Sequence, residues 1–111
     1  MAGKFVLKNA TGGKFMFNLK ASNGEIILTS ETYQEKSGAL SGIESVKKNS
    51  VSDSNYERKI AVNNQFYFVL KAANNQVIGK SEMYTTRAAM ENGIESVKKN
   101  APGATTEDQT E

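Results

Sequence analysis

Residues 15–49 read FMFNLKASNGEIILTSETYQEKSGALSGIESVKKN, and residues 66–100 read FYFVLKAANNQVIGKSEMYTTRAAMENGIESVKKN. The two stretches match at a constant offset of 51, with 18 of 35 positions identical. A repeat of this length indicates one supersecondary unit that is used twice. Because about 50 residues are few for an independent core, we predict a single domain, residues 1–111, whose two repeats (about 3–53 and 54–108) share one core.

Each repeat contains a pattern typical of half-buried β-strands. In residues 15–21 and 66–72, phenylalanine, leucine and alanine recur at every second position, which is the period of a strand with one buried face. Asn23-Gly24 follows the first of these strands and is a strong hairpin signal. A two-residue type I′ turn there would place Leu19 opposite Leu28.

Two further strands and two helices complete the predicted fold. Residues 4–8 and 56–61 are strand-like segments that precede the hairpins, whereas residues 34–48 and 85–99 have apolar positions at helical spacing. Gly42 and Gly93 lie on the apolar helix faces, where glycine costs about 1 kcal/mol relative to alanine, so we expect the helices to approach the sheet closely there. The sequence therefore predicts an α+β fold: one antiparallel sheet built from two pseudo-symmetric β-β-β-α-β repeats, with both helices packed on one face.

The shared segments LKA-x-N, SE-x-Y and GIESVKKN, present in two copies, resemble the YegP-like family of small bacterial proteins of unknown function. The resemblance covers residues 3–108. It implies that two units join into one antiparallel sheet and that the strand after each helix is exchanged into the other unit. Residues 55–60 and 104–109 would then be the exchanged strands. Residues 104–108 lack the valine-rich strand usual in the family, so we expect a short strand there.

Composition excludes several classes of site. The chain has no cysteine and no histidine, which removes disulfides, thiolate nucleophiles, histidine bases and most transition-metal sites. We expect no cofactor and no metal. No apolar run reaches the roughly 20 residues of a membrane span, and no signal peptide is evident at the N-terminus, so a cytoplasmic location is the expectation. Residues 1–100 carry a net charge of +5, and the last eleven residues form a short acidic tail of −3.

The sheet face turned away from the helices is the first candidate binding surface. Strand alternation assigns apolar, aromatic and lysine side chains to it, a mixture found on β-face interaction modules and on single-stranded nucleic-acid platforms. The structural alternative is an ordinary amphipathic face without a partner. The candidate binding residues are Lys20, Tyr67, Val69, Lys71, Ile78 and Lys80, and Met16, Asn18, Ile27 and Thr29 are assigned to the same face.

The strand-to-helix junction of each repeat is the second candidate. A hydroxyl, a carboxylate and a phenol recur there as Ser30, Glu31 and Tyr33 and as Ser81, Glu82 and Tyr84. Such a cluster could orient a ligand, but Ser and Glu before a helix more often satisfy backbone amides, and a tyrosine there more often packs its ring. Paired acid–base carboxylates would require Glu31 and Glu82 within about 10 Å of each other.

These observations favour a small non-enzymatic binding or interaction module that is a monomer with internal pseudo-two-fold symmetry. The alternative is a weak anion or nucleic-acid binder that uses the lysine-bearing open sheet face. An enzyme acting through the junction residues ranks third. A protein partner or small ligand is favoured over nucleic acid, because Tyr67 is the only aromatic residue assigned to the open face.

Overall fold

The computed structural model describes residues 3–110 as one seven-stranded sheet with two helices. A short 3-10 helix, Asp53–Asn55, precedes the fourth strand. The elements in chain order are β1 (Lys4–Ala10), β2 (Lys14–Lys20), β3 (Ile26–Thr29), α1 (Lys36–Asn49), β4 (Tyr56–Ile60), β5 (Phe66–Lys71), β6 (Val77–Lys80), α2 (Arg87–Asn100) and β7 (Thr105–Asp108).

The strand order across the sheet is β4-β5-β6-β3-β2-β1-β7. Six strands pair antiparallel, as predicted, whereas β7 pairs parallel to β1 at one edge, so the sheet is mixed. The strand that follows α1, β4, pairs with β5 of the second hairpin, and the strand that follows α2, β7, pairs with β1 beside the first hairpin. This confirms the α+β fold class and the exchange that the family resemblance implies. β7 has four residues and is short, as expected.

The two repeats meet at the centre of the sheet, where the ladder between β3 and β6 contains the single pair Thr29–Lys80. These two residues are separated by 51 positions, the offset of the repeat, so the pseudo-two-fold axis passes between them. We call this β3–β6 junction the seam. Pseudo-symmetry is broken beside it, because a Cβ atom at Gly79 would lie 2.6 Å from a methyl carbon of Leu28, the residue that occupies the equivalent position.

The hairpin after β2 differs from the predicted two-residue turn. Its loop has three residues: the Gly24 amide donates to the Ala21 carbonyl at 2.9 Å, and the Ala21 amide donates to the Glu25 carbonyl at 2.8 Å. Gly24 has a φ of +87°, but Asn23 lacks the positive φ that a type I′ turn needs at both central residues. A bulge opposite Leu19 then restores the predicted pairing of Leu19 with Leu28.

One hydrophobic cluster contains side chains from both repeats and both helices. The helices begin and end within two residues of their predicted limits. The core members that are less than 2% exposed include equivalent pairs from the two copies: Phe17 and Phe68, Leu19 and Leu70, Ile43 and Ile94, and Val46 and Val97.

The helix glycines leave room for a tyrosine ring. A Cβ atom at Gly42 would lie 2.4 Å from the Tyr33 hydroxyl, and a Cβ atom at Gly93 would lie 2.4 Å from that of Tyr84. Glycine is therefore required by close approach, as expected, but the Tyr33 and Tyr84 phenols, together with the phenylalanines below them, occupy the space.

Candidate functional site

The open face consists of the strand residues that point away from the two helices. Alternation from the buried phenylalanines and leucines, together with the strand register, assigns every second strand residue to it. Charged residues dominate this set. They are Lys4, Lys8, Lys14, Lys20, Lys59, Lys71 and Lys80, with Glu57 and Glu107 as the two carboxylates.

The two carboxylates of the open face lie toward opposite edges of the sheet and bind the nearest lysines. The Lys71 ammonium is 2.5 Å from Glu57, and the Lys59 ammonium is 3.5 Å from the same carboxylate. Lys4 and Glu107 are 2.7 Å apart. Hydrogen bonding to Lys71 lowers the pKa of Glu57, and hydrogen bonding to Lys4 lowers that of Glu107. Both groups are therefore ionised near neutral pH.

The other four lysines of the open face have no such partner. Within residues 3–110, no carboxylate oxygen lies within 4 Å of the ammonium of Lys8, Lys14, Lys20 or Lys80. Lys80 lies instead over the Tyr67 ring, 5.0 Å from its centroid. The predicted stacking ring is thus on the open face, with a cation over it.

Several residues in the middle of the open face are buried, although the two helices pack on the opposite face of the sheet. Val6 and Asn18 are each 3% exposed, and Val69 is 6% exposed. The Asn18 side chain donates to the Thr29 hydroxyl at 2.9 Å. Long lysine side chains on a sheet bury their methylene stems along apolar neighbours and keep their charged ends in water. Val6 and Val69 therefore add almost no exposed apolar area to the face.

Ile78 does not lie on the open face. A register shift between Leu70 and Lys71 inserts an extra residue into β6, which interrupts the alternation on which the assignment relied. Ile78 is 7% exposed and belongs to the core cluster, and Ile27 in the first repeat behaves in the same way. The remaining five candidate residues, Lys20, Tyr67, Val69, Lys71 and Lys80, lie on the open face as assigned.

The serines of the junction cluster form hydrogen bonds with backbone groups. The Ser30 hydroxyl accepts from the Phe17 amide at 2.8 Å and donates to the Glu31 carbonyl at 2.7 Å. Ser81 makes the same two contacts in the second repeat, with the Phe68 amide at 3.0 Å and the Glu82 carbonyl at 2.7 Å. Both hydroxyls therefore complete the backbone pairing at the end of the hairpin.

The tyrosines of the cluster pack between helix and sheet. The Tyr33 ring stacks on Phe17 with centroids 6.2 Å apart, and the Tyr84 ring stacks on Phe68 at 6.5 Å. Burial raises the pKa of both phenols, and the charge of Glu31 or Glu82 raises it further. Both phenols are consequently neutral at physiological pH.

Glu31 and Glu82 line different cavities on either side of the seam. Glu82 lies with Tyr84 beside the first residues of β3, in a cavity of about 470 Å³. Glu31 lies with Tyr33 beside α1 and the start of β6, in a cavity of about 400 Å³. The ladder between β3 and β6 consists of the single Thr29–Lys80 pair, and the two cavities lie beside these strands. The two carboxylates therefore do not line a common cavity.

Four lysines and both carboxylates of the open face were not among the residues predicted from the sequence. Lys8 and Lys14 follow from the same alternation that identified Lys20, so extending it through β1 and β2 would have found them. Glu107 could not be placed in this way, because its position depends on the parallel pairing of β7 with β1. In residues 3–110 no group of metal-ligating side chains is assembled, and no helix has the length and apolar character of a membrane span.

Comparison with known proteins identifies the repeat. The family model described as a domain of unknown function, DUF1508, matches residues 10–57 and again residues 61–108. The UPF0339 protein PA0329 of Pseudomonas aeruginosa is 54% identical over 99% of this chain and 100% of its own length. The UPF0339 protein YegP of Escherichia coli is 52% identical over the same shares.

Two solution NMR structures have the same fold. The structure of the protein of unknown function yegP from Escherichia coli superposes with a TM-score of 0.94, covering 99% of this chain and 95% of that one. The structure of a UPF0339 protein from Shewanella oneidensis, 50% identical, superposes with a TM-score of 0.93, covering 99% and 93%. With two copies of the DUF1508 domain and relatives that match along its whole length, the chain belongs to the YegP-like UPF0339 family.

Proposed function

We propose that this protein is a small non-enzymatic binding module that holds an anionic partner on its open face. The observation that carries the proposal is the separation of charge. Seven lysines and two carboxylates share the open face, which leaves five net positive charges there. The other charged residues in the described part of the chain are seven cations and nine carboxylates.

This uneven distribution of charge makes the electrostatic potential more positive over the open face than over the rest of the described chain. A surface with one sign of charge attracts ligands of the opposite sign and raises their rate of association. Lys20 and Lys80 are the most informative members, because neither forms an ion pair with another residue of 3–110 and they lie in different repeats. The binding surface would therefore extend across the seam and require both repeats.

The junction residues support a non-enzymatic role. The Ser30 and Ser81 hydroxyls each bond one amide and one carbonyl, so neither is held beside a general base. Glu31 and Glu82 line separate cavities. We include in the proposal that the protein acts in the cytoplasm as a monomer and without a cofactor.

The experiment is an amide chemical-shift titration of the labelled protein with inorganic polyphosphate. Binding should change the amide chemical shifts of β1, β2, β5 and β6 and leave those of the helices unchanged. The double variant Lys20→Ser/Lys80→Ser should weaken binding at least tenfold. The matched control is Lys48→Ser/Lys99→Ser, which removes two helix lysines that make no ion pair in the described part of the chain and should leave the affinity within twofold.

Two results would overturn the proposal. One is the absence of binding to polyphosphate, polyglutamate and oligonucleotides at low salt. The other is an equal loss of affinity in both double variants, since that would mean that total charge, and not the open face, determines binding. Denaturant midpoints of the two variants should match the unmodified protein, because none of the four lysines belongs to the core.

A further inference from the structure

We infer that the anionic partner is single-stranded nucleic acid, which the open face binds through phosphate groups and without preference for base sequence. The inference rests on the proposed function and specifies its ligand. Three properties of the open face lead to it: lysines that flank buried valines, an aromatic ring with a lysine over it, and a broad sheet surface.

The chemistry of the cations does not favour a protein partner. Protein interfaces are enriched in tryptophan, tyrosine and arginine and are depleted in lysine. On the open face all seven cations are lysines, and Val6 and Val69 are 3% and 6% exposed, so neither offers an anchor. Phosphate binding needs no such anchor, because neutralising phosphates releases condensed counterions and supplies affinity by itself.

The position of Tyr67 argues against base recognition. Stacking of a base requires a free aromatic face, and Lys80 lies over this ring with its nitrogen 5.0 Å from the centroid. In register, the neighbour of Tyr67 on β4 is Lys59, another cation. A nucleic acid on this face would therefore meet ammonium groups around the ring, and its contacts would be made with the backbone.

The shape of the surface favours a single strand over a duplex. Seven strands about 4.8 Å apart give a face about 29 Å wide, and the described strands carry no element that projects from it. A duplex is read by elements that enter its grooves, whereas sheet faces are used for flexible single strands that follow the protein surface. Cations on both sides of the seam would contact successive phosphates of such a strand.

The ion pairs predict how strongly binding should depend on salt. Four lysines, Lys8, Lys14, Lys20 and Lys80, have no carboxylate within 4 Å in the described part of the chain. Each phosphate contact with a single strand contributes about 0.7 to the slope of log affinity against log salt. Four contacts therefore give a slope of about −3, and the variant Lys20→Ser/Lys80→Ser should reduce it to about −1.4.

The test measures the affinity of the full chain for fluorescent oligothymidylate, oligoadenylate, a duplex of the same length, and polyglutamate of matched charge, each at several salt concentrations. We expect the two single strands to bind within threefold of each other and at least fivefold more tightly than duplex or polyglutamate. Tyr67→Leu should change the affinity for oligothymidylate less than twofold, because the ring makes no stacking contact.

The outcomes separate this inference from the proposed function. Tighter binding of polyglutamate or duplex would overturn the single-stranded ligand and leave the anionic open face intact. A loss of more than tenfold in Tyr67→Leu would overturn the phosphate-only mode. If no polyanion binds, both proposals fail together. A slope near −3 that falls by half in the double lysine variant, and is unchanged in Lys48→Ser/Lys99→Ser, is the result that supports the inference.

Discussion

Strands β1 and β4 occupy equivalent positions in the two repeats, but β1 has a neighbouring strand on both sides and β4 on one side only. At one edge, β7 covers β1, and Phe5, Val6 and Leu7 are at most 3% exposed. At the other edge β4 is the last strand of the sheet among the described residues. The residues equivalent to Phe5, Val6 and Leu7 there are Tyr56, Glu57 and Arg58.

The difference shows how the neighbour of a strand determines its chemistry. The position that faces the core stays aromatic in both copies, and Tyr56 adds a hydroxyl that donates to the Ser50 carbonyl at 2.8 Å. The next two positions change from aliphatic to charged, which is how exposed edge strands resist pairing with another chain. The Arg58 guanidinium forms ion pairs with Glu91 and Asp53, with nitrogen–oxygen distances of 2.7 Å and 3.1 Å.

Of the changes predicted to affect the two edges, separating the repeats should have the largest effect on stability. Residues 1–52 alone would lose β7 from beside β1 and β6 from beside β3, and a chain of about 50 residues buries too little surface to compensate. We expect poor amide dispersion and no cooperative unfolding transition. Amide dispersion and mass by light scattering would check this, and a well-folded monomer would contradict the shared core.

Removing β7 should test the covered edge alone. A chain that ends at Gly103 would expose the outer side of Phe5, Val6 and Leu7. Full burial of such residues is worth roughly 1.5–3 kcal/mol each, so partial exposure should lower the free energy of unfolding by about 2–5 kcal/mol.

The control for this truncation is a chain that ends at Gln109 and keeps β7, including the Gln109 amide that donates to Leu7 at 2.7 Å. Denaturant midpoints of the two truncated chains decide the matter. Equal midpoints would mean that β7 contributes nothing to the stability of the covered edge.

Adding a methyl group to the helix glycines should have a smaller effect, equal in the two repeats. Gly42→Ala brings a Cβ atom to 2.4 Å from the Tyr33 hydroxyl, and Gly93→Ala does the same at Tyr84. Overpacking costs about 1–3 kcal/mol, which exceeds the gain in helix propensity of about 1 kcal/mol at the upper end.

The double variant Gly42→Ala/Tyr33→Phe gives the matching control, because removing the hydroxyl relieves the closest contact. Thermal or denaturant unfolding should recover part of the lost stability. If the double variant is no more stable than Gly42→Ala, the Tyr33 hydroxyl is not the group that requires glycine at this position.

The smallest effect on stability should appear at acidic pH, because a lysine or arginine is hydrogen-bonded to an aspartate near each edge of the sheet. Hydrogen bonds from Lys98 and Arg58 lower the pKa of Asp53 to about 2, and those from Lys36 and Thr110 lower that of Asp108 to about 2. A depressed folded-state pKa gives stability that is present above the unfolded value of about 3.9 and is lost as pH falls toward 2.

We therefore expect the midpoint of urea unfolding to fall between about pH 4 and pH 2, and to fall less in Asp53→Asn or Asp108→Asn. Glu35→Gln is the control, because Glu35 makes no ion pair with another described residue. A pH profile that neither aspartate variant changes would assign the acid sensitivity to other carboxylates.

Local periodicity was sufficient to predict most of the fold. The alternation in β2 and β5, the helices, and the pairing of Leu19 with Leu28 all depend on neighbours close in sequence. The bulge that moves Ile78 into the core follows a loop between Ala72 and Gln76 that is one residue longer than a two-residue turn, and the Asn74-Asn75 pair does not reveal that length. The parallel pairing of β7 is a contact between residues about 100 positions apart, and no local pattern encodes it.

The candidate site was predictable to the same extent. Strand parity identified Lys20, Lys71 and Lys80 because their strands are regular up to the bulge. The ion pairs that occupy Lys71 and Lys4 required the tertiary structure, since Glu57 and Glu107 come from the two edges of the sheet. Sequence alone therefore gave the location of the charged face but not which of its lysines are available to a ligand.

The close approach of Leu28 to Gly79 has a consequence for assembly. Two first repeats joined at the same seam would direct Leu28 of each copy into the other, because neither would offer the space that glycine leaves. Two second repeats would instead face each other with glycines and leave a gap in the core. Neither half is therefore complementary to a duplicate of itself at this seam, so the seam requires one copy of each repeat.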